Sequence, residues 1–149
     1  MRVIVMVKET ERSESGGPPS QQLVEDMGKY NEELVAAGIM VAGEGLLPSR
    51  KGKRLVFAGP SGTSKIVDGP FAEAKELVGG FWIWKVDSME QALEWASRMP
   101  CPHELRDGEE AIVELRQIAE PEDFGELLSP EQADREREMR ARYEESQKQ

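Results

Sequence analysis

The 149-residue sequence has one cysteine, one histidine and no long apolar run. The single Cys101 cannot close an internal disulfide, which is typical of proteins from the reducing cytoplasm. The sequence lacks the several cysteines that a zinc site needs, and it lacks a second histidine for another metal site. We therefore expect neither a metal nor a metal cofactor. The lone His103 follows Pro102 after a predicted helix, and we expect it at the surface.

Membrane segments and excess positive charge are lacking as well. No stretch reaches the roughly 20 apolar residues of a membrane helix, and the five apolar residues at 3–7 are too few for a signal-peptide core. The 29 acidic and 19 basic side chains give a net charge of −10, which repels phosphate backbones. Because no GxGxxG or GxxxxGK[ST] loop occurs either, we expect no membrane, nucleic-acid or nucleotide partner.

The length of 149 residues fits one domain of ordinary size, and the hydrophobic fraction of 38% is enough to form a core. Helices are predicted from the cap Ser20 to near Gly38, and from the capping pair Ser88 and Gln91 to Pro100. Residues 9–19 are interpreted as a polar loop. Apolar patterns and turn residues predict four strands, at 3–7, 39–47, 80–86 and 111–118, and a hairpin that pairs 54–58 with 65–67 around Gly59–Gly62.

This order is β-α-β-β-α-β with an added hairpin, which predicts a ferredoxin-like α+β fold with an antiparallel sheet and two helices on one face. The other face of such a sheet stays bare. If it carries residues such as Val3, Val5, Trp82 or Trp84, a second copy of the chain is the expected cover. We therefore predict a homodimer.

Residues 119–149 differ in composition from residues 1–118. They hold 10 acidic and 5 basic side chains, a net charge of −5, and so carry half of the excess charge in a fifth of the chain. Ser129 and Pro130 predict the start of a helix, whose later apolar residues form no stripe. We expect a core domain at 1–118 and an acidic, partly helical and solvated C-terminal extension at 119–149.

Two places concentrate groups that can do chemistry. The segment at 67–76 lies between predicted strands and is richer in ionisable groups than a connection requires; the alternative is a turn in which Asp68 bonds the backbone and Phe71 anchors the bend. Glu44 lies between two glycines, which let a ligand or another backbone approach. Its alternative is a strand bulge with a solvated carboxylate.

Two carboxylates in one apolar pocket can differ in pKa, so Asp68 and Glu44 are the candidate acid and base. Ligand-binding roles are predicted for Tyr30 as a hydrogen-bond donor and for Lys75 as the group that orients an anionic substrate. The remaining candidates for ligand binding lie beside Asp68: Gly69, Pro70, Phe71 and Glu73.

Three segments carry a family resemblance: GEGL at 43–46, DGPFAEAKELVGG at 68–80 and EQALEWASRMP at 90–100. Over residues 1–118 the chain resembles the YCII-related family, in its branch with the Asp-Gly-Pro-Phe motif. The resemblance implies a ferredoxin-like fold of the dimeric α/β-barrel type, in which two sheets enclose a pocket. It also implies a regulatory link, because this branch is often found beside sigma factors of the extracytoplasmic type.

Relatives outside this branch resemble small lyases, isomerases or dehalogenases with a His-Asp pair whose histidine lies on the first helix. Residues 21–37 contain no histidine, so that pair is not carried over. The leading hypothesis is a cytoplasmic homodimer that binds an unknown small molecule, with cofactor-independent acid/base chemistry of a lyase or isomerase type. The alternative is a non-catalytic regulatory or interaction protein associated with an extracytoplasmic-type sigma factor.

Overall fold

The computed structural model describes residues 1–60, 62–102 and 105–146 of a mixed α+β chain with antiparallel sheets. Two compact units divide it, Met1–Gln117 and Ile118–Gln149. The predicted surface residue His103 and Ser61 of the predicted hairpin turn lie outside the described residues. The strands are β1 (Arg2–Lys8), β2 (Met40–Gly45), β3 (Lys53–Ala58), β4 (Thr63–Asp68), β5 (Val78–Lys85) and β6 (Val113–Gln117), and the helices are α1 (Glu11–Glu14), α2 (Gln21–Ala36), α3 (Met89–Ser97) and α4 (Pro130–Ser146).

Four strands form the main sheet in the order β2-β5-β1-β6, with antiparallel neighbours throughout. Strand β1 is central, as its apolar sequence predicts, and its Val5 lies opposite Trp82 on one side and Leu115 on the other. The strand order and the two crossover helices are compatible with the ferredoxin-like layout. The β3–β4 hairpin is inserted between the second and third strands of that layout.

Local capping determines where the two long helices of this unit begin. The Ser20 side chain accepts a hydrogen bond from Leu23 N and starts α2, which ends before Gly38 at a φ of +70°. The Ser88 side chain accepts from Gln91 N and starts α3. The predicted capping box is only half formed there, because the Gln91 side chain accepts from the backbone of Asp87.

The predicted polar loop at 9–19 is wrong in one part, since it contains the single helical turn α1. Thr10 caps this turn, and its side chain accepts from Ser13 N while the Ser13 side chain accepts from Thr10 N. The turn is too short to show a helical stripe of apolar residues, which is the signal that reveals longer helices. Its cap holds the chain in a fixed path directly after β1.

One face of the main sheet forms the hydrophobic core. Val3, Val5 and Trp84 are fully buried with Leu34 of α2 and Ala92 of α3. The condition stated for a bare face that carries Val3, Val5, Trp82 or Trp84 is therefore not met, because these side chains lie in the core. Side chains alternate along a strand, so the second face carries the partly exposed side chains of Ile4, Met6, Phe81 and Ile83.

The predicted hairpin is confirmed, and it forms a separate two-stranded sheet in which every described residue of β3 and β4 is exposed. Its register pairs Leu55 with Ile66 and Lys53 with Asp68. Since an isolated hairpin has little stability in water, contacts at its base are needed to hold it. Those contacts come from the segment that follows β4 and are described below.

The unit Ile118–Gln149 contains a 3₁₀ segment, Pro121–Leu127, and the helix α4. The predicted start is confirmed, because Gln132 N donates to the Ser129 side chain and Ser129 N donates to Gln132. Arg137 donates to Glu122 at 2.7 Å and lowers the pKa of that carboxyl. Among the described residues no helix is both long and apolar enough to cross a membrane.

Candidate functional site

A groove of about 950 Å³ opens in the first unit where β1 ends and β5 begins. The wall includes Val7 near the end of β1, Glu9 just after that strand and Trp82 of β5. Helix α2 adds apolar side chains from Leu23 and Met27. The groove is therefore lined by the edge of the core and by the chain that leaves β1.

Glu9 is a buried carboxylate in the wall of this groove, with 8% of its surface exposed. Its backbone N–H donates to Leu77 O at 2.9 Å, and the Ser13 hydroxyl donates to its carboxylate. Gly79 makes room for it, because a methyl group at Gly79 would lie 2.9 Å from Glu9 Cδ. Sequence reasoning missed Glu9, although its position two residues after the apolar run at 3–7 was a usable signal.

Trp82 forms the floor of the groove and is fixed by two contacts. Its Nε1–H donates to Asn31 Oδ1 at 2.9 Å. A methyl group at Gly43 would lie 2.6 Å from Trp82 Cδ1, whereas one at Gly45 would meet nothing within 4 Å. The indole therefore occupies the space that Gly43 leaves, and Glu44 between the two glycines is exposed at the rim.

Four cationic side chains line the same groove, namely Lys8, Arg12, Arg50 and Lys75, and three of them lie close to other groups of the chain. Lys8 pairs with Glu114 at 3.2 Å. A methyl group at Gly17 would lie 3.3 Å from Arg12 Nε, and one at Gly16 would lie 2.9 Å from Arg50 Nη1. Lys75 is exposed and, within the described residues, pairs with no carboxylate within 4 Å. Its ammonium group is therefore available to an anionic group in the groove.

The Asp-Gly-Pro-Phe segment builds a structural junction. Gly69 packs so closely on the 3₁₀ turn at Ser49–Lys51 that a methyl group there would lie 1.8 Å from Ser49 O. The Gly69–Pro70 peptide is cis, and Phe71 N donates to Ser49 Oγ at 2.9 Å. The Arg54 guanidinium lies 3.8 Å over the Phe71 ring. The segment thus anchors the base of the hairpin.

Glu14 of α1 completes this junction from the other side. Its carboxylate accepts the Ser49 hydroxyl and the Ser49 N–H, the latter at 3.0 Å to Oε2. The hydroxyl bond from Ser49 is the main cause that lowers the pKa of Glu14, and the backbone bond and the nearby Arg50 charge add to it. One serine therefore ties α1, the β2–β3 connection and the Asp-Gly-Pro-Phe segment together.

The structure separates the predicted site residues. Glu44 and Lys75 line the groove. Pro70 and Phe71 line a second, smaller pocket of about 410 Å³ with Glu14 and Arg50. The described lining of neither pocket includes Asp68, Gly69, Glu73 or Tyr30.

Asp68 and Tyr30 have other partners. Asp68 is exposed on the hairpin and pairs with Lys53. Tyr30 is buried in the core, and its hydroxyl donates to Trp95 O at 2.7 Å. Burial raises the pKa of Tyr30 to about 12, with Glu33 adding to the rise and Arg98 opposing it. Across the described ranges, no three histidine, cysteine, aspartate or glutamate side chains come together as metal ligands.

Comparison with known protein families identifies the first unit of the chain. The sequence model of a family described as the YCII-related domain matches residues 1–119. No curated protein matches the chain. The matched region contains the main sheet, the helices α1 to α3, the hairpin and every residue that lines the groove.

Proposed function

Since the chain belongs to the YCII-related family, we propose that it is a small-molecule-binding member of that family and that its ligand occupies the groove at the end of β1. One observation carries the proposal. The groove of about 950 Å³ combines apolar walls with a buried carboxylate, the combination that is typical of ligand sites. The Asp68–Phe71 sequence supports a place in the Asp-Gly-Pro-Phe branch.

Different groove residues are expected to contact different parts of the ligand. Trp82, Leu23 and Met27 contact an apolar body, while Lys75 takes an anionic group. If the protein also transfers protons, Glu44 is the predicted base that can reach a ligand, since Asp68 pairs with Lys53 on the hairpin. We expect Asp68→Asn to leave ligand occupancy unchanged, although the sequence analysis gives Asp68 as a candidate acid or base.

Native mass spectrometry of the gently purified protein tests the proposal, because it reports any small molecule that remains bound. Leu23→Trp places a large ring in the groove, and Val24→Trp is its matched control, since Val24 is 56% exposed on the same helix. We expect an extra mass on the wild-type chain and on Val24→Trp, and its loss in Leu23→Trp. An extra mass that survives in a folded Leu23→Trp variant would place the ligand elsewhere.

A second function is favoured by one observation, the junction at Ser49. It gives the Asp-Gly-Pro-Phe segment a structural role, as the alternative of a non-catalytic interaction protein requires. In that case the partner is an extracytoplasmic-type sigma factor, and co-expression followed by size exclusion tests the complex. A stoichiometric complex would support the interaction role, and separate elution of both proteins would count against it.

We also infer a homodimer formed through the second face of the main sheet. The support is the set of apolar side chains that α2 and α3 leave uncovered, namely Ile4, Met6, Phe81 and Ile83. Pairing of two such faces buries apolar surface symmetrically. It would produce the dimeric α/β-barrel arrangement that the resemblance implies.

A further inference from the structure

Glu9 stands out because a buried carboxylate normally has several hydrogen-bond donors around it. An ionised carboxylate offers about four acceptor positions, and its burial is costly unless donors or a cation compensate. Among the described residues, the Ser13 hydroxyl is the side-chain donor to this carboxylate. With 8% of its surface exposed, the Glu9 residue is largely removed from bulk water, and it lines the groove.

The cations of the groove do not supply the missing partner. No ion pair to Glu9 within 4 Å is found among the described residues, although Lys8, Arg12, Arg50 and Lys75 line the same groove. Lys8 pairs with Glu114, and Arg12 and Arg50 lie against the glycines at 17 and 16. Glu9 therefore keeps acceptor capacity on the side that faces the groove.

We propose that Glu9 is a ligand-contacting residue of this groove and that it takes a cationic nitrogen group, such as an amidinium, guanidinium or ammonium, carried on a flat apolar body. A planar amidinium matches a carboxylate with two parallel hydrogen bonds. The body lies against Trp82, whose ring is fixed by Asn31 and Gly43, and beside Met27. The inference rests on the proposed function, because it specifies the ligand class of the same groove.

Three probes with one aromatic ring separate the possibilities: benzamidine is a cation, benzamide is neutral and benzoate is an anion. Each is titrated into the ¹⁵N-labelled full chain and followed by amide chemical shifts. We expect benzamidine to bind in the roughly millimolar range and about tenfold more tightly than benzoate. The resonances of Glu9 and Gly79 should move most, since Gly79 lies against the Glu9 carboxylate.

Glu9→Gln keeps the size of the side chain and removes its charge, and Glu32→Gln is the control with the same charge change at an exposed position on α2. We expect benzamidine affinity to fall about tenfold in Glu9→Gln and to stay within about twofold in Glu32→Gln. Should Glu9→Gln fail to fold, the wild-type probe preference and the shift map decide the question. Shifts centred on Glu44 or on residues 109–110 instead of Glu9 would overturn the assignment.

The outcomes separate this inference from the function on which it rests. If benzoate binds in the groove more tightly than benzamidine, the groove is a ligand site but Glu9 is not its cation-binding residue. Unchanged benzamidine affinity in a folded Glu9→Gln variant leads to the same rejection. If none of the three probes shifts a groove resonance at millimolar concentration, the proposed groove function fails, and the assignment of Glu9 fails with it.

Discussion

At the scale of single residues, three side chains hold together parts of the first unit that are distant in sequence. Ser49 connects α1 with the Asp-Gly-Pro-Phe segment, Asn31 orients Trp82, and the Tyr30 hydroxyl joins α2 to Trp95 of α3. Each bond satisfies a polar group that the fold has partly or fully buried. Loss of one partner would leave the other without a hydrogen bond, which costs about 1–3 kcal/mol.

Tyr30 makes stability depend on pH in the alkaline range. Its pKa is raised from 10.0 to about 12 in the folded protein, so the folded state keeps a proton that the unfolded chain releases. The stabilisation is complete below pH 10 and is lost as the pH rises towards 12, by roughly 2–3 kcal/mol in total. Urea unfolding measured below pH 10 and near pH 12 checks this.

The control is Tyr143→Phe, at a tyrosine that is 60% exposed, which should leave the alkaline loss of stability in place. In Tyr30→Phe most of that loss should disappear. The free energy of unfolding of this variant below pH 10 should be lower by about 1 kcal/mol, because Trp95 O loses its hydrogen-bond donor. If the free energy of unfolding falls equally with alkaline pH in both variants, Tyr30 is not the titrating group.

Gly69 should resist substitution because of contact with backbone. In Gly69→Ala the new methyl group would lie 1.8 Å from Ser49 O, so the junction has to open. We expect a loss of roughly 1–3 kcal/mol in the free energy of unfolding, measured by chemical denaturation. Gly45→Ala is the matched control, since nothing lies within 4 Å of its added methyl group, and it should change stability by less than about 0.5 kcal/mol.

At the scale of elements, what could be predicted from sequence depends on how local the cause is. The starts of α2, α3 and α4 follow from serine caps that bond the chain within three residues, and the sequence patterns predict all three. The strands follow from apolar runs in the same way. Which strand face is buried depends on where the helices pack, so the sequence could not show that Val3, Val5, Trp82 and Trp84 lie on the covered face.

The candidate site was harder to predict, because it is built from distant segments. Glu9 is buried through Gly79 and Leu77, which lie about seventy residues later. The Asp-Gly-Pro-Phe segment binds Ser49, and Ser49 in turn binds Glu14. None of these pairs leaves a spacing pattern in the chain, so composition could indicate Glu44 and Lys75 but not the arrangement around them.

Helix α2 offers a test of local conformation by two glycines with opposite roles. Gly28 lies inside the helix with nothing within 4 Å of an added methyl group, so Gly28→Ala should stabilise the protein by about 0.5–1 kcal/mol. Gly38 follows the helix at a φ of +70°, and Gly38→Ala should destabilise it by roughly 1 kcal/mol. Thermal melts of both variants measure the change in melting temperature. Changes of the same sign in the two variants would contradict the opposite roles of Gly28 and Gly38.

At the scale of the whole molecule, the proposed homodimer depends on the second face of the main sheet. If two copies pair there, Ile83→Glu places a charge in the interface and should convert dimer to monomer. The control Val35→Glu adds the same charge at a position that is 63% exposed on α2 and should stay dimeric. Light scattering after size exclusion measures both, and a monomeric wild-type chain would reject the dimer.

The place of β1 in the sheet has a consequence for how the protein is made. This central strand is synthesised before both of its neighbours, β5 and β6, which lie in residues 78–117. During translation, the apolar residues of β1 therefore have no strand partners until most of the first unit has left the ribosome. During that interval Val3, Ile4 and Val5 form an unpaired apolar segment that can associate with other chains. Translation rate and early chaperone contact should thus influence the yield of folded protein more than the modest size of the domain suggests.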